Sequence, residues 1–107
     1  MTTFFDIDAA NEALVEVGPL LATLADQRAE LIRLRMQGIV DQMAAAVARI
    51  DALGITLRDI ERGLIDFPAL ASGRQVWLCW ELGEERVDFW HELDTGFGSR
   101  RPLAELA

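Results

Sequence analysis

The sequence predicts an α+β domain: two amphipathic helices, or one long bent helix, followed by a small antiparallel sheet that ends in a C-terminal β-hairpin. Apolar residues recur at three- and four-residue intervals through the first half, the period of one helix face. After Gly54 the period changes to alternation, which belongs to strands. Two alternating stretches, "RQVWLCWEL" and "RVDFWHEL", flank a turn at Gly83 to Arg86. Helices and strands are thus segregated along a single domain, residues 1–107: helical over about 8–53, sheet over about 55–94, tail over 95–107.

Asp6 or Asp8 caps the first helix, where negative charge favours the N-terminal end of the dipole. Leu14, Val17, Leu21, Leu24 and Leu31 form its apolar stripe. Pro19 removes a backbone donor, so the helix is either kinked there or preceded by a short turn ending at Gly18. Gly38 is the expected break before a second stripe of Val40, Met43, Val47 and Ile50, and Gly54 supplies the stop. Short strands are expected at 55–60 and 63–67, the latter ended by Pro68.

A four-residue loop of Gly83 to Arg86 would pair Leu82 with Val87, Trp80 with Phe89 and Leu78 with His91. That register turns Val76, Leu78, Trp80, Val87, Phe89 and His91 towards the helices. Trp80 then becomes a core anchor near Phe89. Trp77, Cys79 and Trp90 fall on the outer face, where two tryptophans need a cover. Another strand's side chains, the C-terminal tail or a second subunit would supply it.

Composition excludes much. The chain has no lysine and no tyrosine, one histidine and one cysteine, and serine only at positions 72 and 99. Schiff-base chemistry, a P-loop lysine, a CxxC pair and a zinc finger are therefore absent. A net charge of −8 repels phosphate backbones, so no nucleic acid partner is expected. The absence of a long apolar run or basic leader argues for a soluble cytoplasmic protein with no membrane partner.

What remains is His91, with a carboxylate as partner, because a buried imidazole needs an acceptor. Asp66, Glu12 and Glu16 are the candidates, and an Asp66–His91 pair would suit general-base work. Cys79 packs as a small hydrophobe. Ser99, Arg100 and Arg101, beside Gly96 and Gly98, form either a candidate anion-binding loop for a small anionic ligand or a flexible terminal turn whose arginines answer the chain's many acids. Glu92 and Asp94 share a face, but neither this pair nor the adjacent His91–Glu92 pair is assigned a metal. No cofactor is assigned.

Together "IDAANEAL", "GLIDFPAL", "VWLCWELGE" and "FWHELDTGFGSRRPL" resemble a bacterial family of small proteins, the domain of unknown function number twenty-two zero three. The pattern LCW-x-x-GE followed by WHE-x-x-x-GF-x-x-R carries the resemblance. Its family-like positions are Asp66, Phe67, Pro68, Trp80, Gly83, Glu84, His91, Gly96, Phe97 and Arg101. The resemblance implies identity without an activity. The functional expectation is a self-associating or partner-binding module, a dimer in the first instance, with Trp77 and Trp90 at the interface. The alternative is a small-molecule or metal-binding, enzyme-like site of His91 and Asp66 with Arg100 or Arg101.

Overall fold

The computed structural model describes residues 2–34 and 37–106. Helix α1 runs from Ile7 to Leu34 and α2 from Gln37 to Ala52. The Asp6 carboxylate accepts the Ala9 N–H at 2.7 Å and is the cap. Helix α1 continues through Pro19, which removes the short-turn alternative. The carbonyl that Pro19 leaves without a donor belongs to Val15, a residue 80% exposed.

The helices are two elements packed antiparallel, not one bent rod. Gln27 donates to Gln42 at 2.5 Å, and Arg49 forks onto Glu16 at 2.5 and 2.9 Å. Gly38 stands inside α2 rather than at a break, and the junction at 35–36 lies outside the described residues. Gly54, at φ +82°, stops α2.

Five antiparallel strands follow in the order β1 (Thr56–Asp59), β2 (Leu64–Ala71), β3 (Arg74–Glu81), β4 (Phe89–His91) and β5 (Arg101–Pro102). Strand β2 does not end at Pro68 but runs on to Ala71. Proline is tolerated there because β1 has already ended opposite Asp66, so no ladder donor is missing on that side. The Pro68 carbonyl instead accepts the Phe5 N–H at 2.8 Å. Ser72 (φ 51°) and Gly73 (φ 84°) make the two-residue turn into β3. Positive φ at both positions matches the right-handed twist of a tight hairpin.

The register between β3 and β4 differs by one residue from the sequence expectation. Trp77 lies opposite His91, Leu78 opposite Trp90 and Cys79 opposite Phe89. A one-residue slip inverts every side chain of a strand. Trp90 therefore enters the core, 2% exposed, with Val76, Leu78, Trp80, Leu21 and Leu24. His91 and Phe89 turn to the outer face, so Phe89 does not stack on Trp80.

The cause lies in the connection. The N–H of Val87, a fully buried residue, donates to the Asn11 side chain of α1 at 2.9 Å instead of pairing with Leu82. Trp80 Nε1 donates to the Glu84 carbonyl at 3.0 Å, and the Glu84 carboxylate accepts the Glu81 N–H at 2.7 Å. The loop is thus longer than four residues and shifts β4 along. Trp80 is the core anchor the sequence expects, at 5% exposure. Trp77, the one tryptophan left on the outer face, is half-buried beneath the Arg58 guanidinium, 4.8 Å from its ring centroid.

Trp90→Ala and Trp80→Ala are each expected to cost about 3–5 kcal/mol, the scale for deleting a buried aromatic. Trp77→Ala is expected to cost clearly less. Urea denaturation of the three variants checks this, and equal losses at Trp77 and Trp90 would contradict the observed register.

Candidate functional site

With β4 in this register, three side chains from adjacent strands meet on the outer face. Asp66 of β2 stands directly opposite Cys79 of β3, and His91 of β4 lies diagonally beyond. One carboxylate oxygen, the Cys79 Sγ and a ring nitrogen of His91 all lie within 4.8 Å of one another. All three residues are buried, Asp66 at 1% and His91 at 3% exposure. Among the described residues this is the only such group of three or more carboxylate, thiol and imidazole donors.

His91 Nε2 lies 3.0 and 3.1 Å from the two Asp66 oxygens. Its Nδ1 lies 2.9 Å from the Glu92 carbonyl. That carbonyl also accepts from the Thr95 N–H and hydroxyl, both at 3.3 Å. A carbonyl only accepts, so Nδ1 carries a proton and donates it. Nε2 then faces an ionised carboxylate, which also only accepts. A proton has to stand between those two atoms, carried by the ring or by the carboxyl group.

Two arginines flank the cluster. Arg58 Nε donates to Asp66 Oδ2 at 2.8 Å from the irregular point of β1 between Leu57 and Asp59. Arg100 reaches over from the tail and forks onto Glu84 at 3.0 and 2.6 Å. Its guanidinium sits 4.1 Å from the Phe89 ring centroid and 4.5 Å from that of Phe97. The tail, not a helix, is what covers this face of the sheet. Between them, Arg58, Asp66, His91, Leu93, Thr95, Gly96 and Phe97 enclose a cavity of about 250 Å³.

Burial pushes the Cys79 thiol up to about 12, and the Asp66 charge pushes in the same direction against the weaker pull of Arg100. Cys79 is therefore a protonated thiol at neutral pH, not a nucleophile.

The structure brings His91 and Asp66 together, as the sequence reading expects of one candidate pair. Of the other two carboxylates, Glu16 is held by Arg49 and Glu12 is exposed on α1. Ser99, Arg100 and Arg101 do not converge: Arg100 is taken by Glu84, Ser99 is exposed, and Arg101 lies 5.8 Å over Trp90. Glu92 is paired with Arg74, and Asp94 is exposed.

Sequence reasoning missed Arg58 and the place of Cys79. For Cys79 a signal existed: a two-residue turn at Ser72 and Gly73 sets Asp66 opposite Cys79 by counting outward. For Arg58 there was none, because its position depends on an irregularity in the ladder.

A family model described as an uncharacterized conserved protein, DUF2203, matches residues 31–103. The match contains every residue of the cluster and its cavity. No curated protein and no solved structure matches the chain. Among the described residues no helix is long and apolar enough to cross a membrane.

The raised thiol has a consequence for stability. Below about pH 9, the ordinary thiol value, folded and unfolded chains both hold the Cys79 proton, and the contribution is fully present. Between there and about 12 the unfolded chain loses the proton while the folded chain keeps it, so stability falls as pH rises. Chelator-treated protein is expected to lose stability across this window in urea denaturation, and Cys79→Ala to show a shallower loss. Identical slopes would contradict the assigned environment.

Proposed function

The chain belongs to DUF2203, a family of uncharacterized conserved proteins, and from that premise we propose that it binds a small anionic ligand in the cavity beside His91. One observation carries the reading: two ionisable side chains, Asp66 and His91, are buried beside a single cavity that the more exposed Arg58 also lines. Buried polar groups are costly unless they are satisfied, and these are satisfied by one another. Their charges favour an anion. With one proton shared between His91 and Asp66, the Arg58 guanidinium leaves the group with a net positive charge.

Size narrows the class. Pockets for drug-sized molecules run to about 300–1,000 Å³, and a cavity of about 250 Å³ suits a ligand of few atoms, such as phosphate or a short carboxylate. Leu93 and Phe97 offer an apolar wall, while Arg58 offers donors. Asp66 orients the His91 ring, and the ligand lies against Arg58 rather than against Arg100, which Glu84 already holds.

A second reading, self-association as a dimer, draws on a different surface. Val15 is 80% and Ile32 62% exposed on α1, and an open groove of about 520 Å³ lies between α1 and α2, lined in part by Leu20, Ala45 and Ala46. Trp90 lends it nothing, because it is in the core. Sedimentation separates the outcomes: a dimer that Val15→Glu with Ile32→Glu converts to monomer supports it, and a monomeric parent removes it.

The ligand reading is tested by NMR titration of chelator-treated protein with inorganic phosphate and with acetate. His91 is the only histidine, so its ring signals identify themselves. Saturable shifts at His91 and the Gly96 amide are expected, weakened in Arg58→Gln. No saturable shift there with either anion, in folded protein, would overturn the proposal.

A further inference from the structure

A metal ion is the alternative to the proton between Nε2 and Asp66. We propose that the Asp66–Cys79–His91 cluster is a site for one divalent metal ion of the zinc class, bound through a carboxylate oxygen, the thiolate and Nε2. The inference deepens the reading of this face as the functional site and rests on it.

The donor set selects the ion. Thiolate and imidazole together favour zinc and its chemical relatives over magnesium or calcium, which take oxygen. Zinc bonds of about 2.0–2.3 Å place donors of one shell roughly 3–4 Å apart. Here the closest pair is 3.0 Å apart and all three donors lie within 4.8 Å, so small side-chain movements close the shell. Three protein donors with one position left open is the arrangement of reactive zinc sites. That open position is on the side of the cavity, which Asp66 and His91 both line.

The surroundings already have the form of an outer shell. Histidine ligands commonly donate their second ring N–H to a carbonyl, which fixes Nε2 as the donor to the metal. His91 does this with Glu92, whose carbonyl is itself held by Thr95. The Asp66 oxygen that Arg58 bonds is Oδ2, which leaves Oδ1 for the metal.

Charge balances as well. In the proton-only state one proton joins Nε2 to Asp66, the thiol is neutral and Arg58 is charged. Binding of a divalent cation displaces that proton and the thiol proton to solvent. One metal ion replaces two protons, and the local charge is unchanged. No oxidant or reductant takes part.

Cobalt(II) is the probe, because a cobalt–thiolate bond gives a near-ultraviolet charge-transfer band and a tetrahedral site gives intense visible bands. Chelator-stripped protein titrated with cobalt is expected to develop both bands at one equivalent and lose them to added zinc. Since Cys79 is the only cysteine, Cys79→Ala is expected to lose the charge-transfer band while its near-ultraviolet tryptophan circular dichroism stays native. Zinc is expected to raise the melting temperature of the parent and not of Cys79→Ala.

Folded parent protein that develops no charge-transfer band overturns the metal site. So does a zinc-induced melting shift that Cys79→Ala retains. Anion binding by the stripped protein without a cobalt band removes the metal alone. A cobalt band without anion-dependent shifts at His91 removes the anion reading alone.

Discussion

Asp66 sits in the middle of β2 with 1% of its surface exposed, and an ionised carboxylate there has lost the water that stabilises it in the unfolded chain. Such a charge persists inside a protein only when hydrogen bonds and opposite charge replace the water. Two neighbours meet that demand. Arg58 reaches it from β1 and His91 from β4, while Cys79 stands opposite on β3 with its thiol held neutral. Each lies where it does because of a local departure from regular pairing, or because of the strand that pairs across from it. The ladder irregularity between Leu57 and Asp59 places Arg58, and the shifted β4 places His91.

The shift of β4 serves both faces of the sheet at once. On the helix side it buries Trp90 and Val87, and it ties the loop to α1 through Asn11. On the outer side it delivers His91 to Asp66. The register one residue away would leave Trp90 exposed, send His91 among aliphatic side chains, and strand the Asp66 charge. Burial of the larger aromatic and pairing of the carboxylate favour the same alignment, which is how a short strand of three residues is held in one place.

The helical half was legible because it rests on spacing alone. Val17, Leu21 and Leu24 face the core as their period requires, and Asp6 caps where a capping residue belongs. Sheet pairing was legible only where the turn was tight. Ser72 and Gly73 fix the register of β2 on β3, but the longer loop from Leu82 to Asp88 is held by side chains that come from elsewhere in the fold. Asn11 and Glu84 decide that register, and their roles exist only in three dimensions. The Asp66–His91 pair could therefore be named from the chemistry of a lone histidine, while its face could not. For the tail's cluster of Ser99, Arg100 and Arg101 an anion loop and a turn that answers nearby acids both stayed open, because composition does not show that Glu84 holds Arg100.

That Asp66 and His91 act as one unit is the claim on which the rest turns, and a double-mutant cycle measures it. Stabilities of the parent, Asp66→Asn, His91→Gln and the double variant give the coupling between the two side chains by urea denaturation. Directly bonded groups in one buried network couple by about 0.5–3 kcal/mol. A favourable coupling in that range, with the double variant losing less than the two single losses combined, is the expected result. Additive losses would mean that the two side chains are neighbours without being partners.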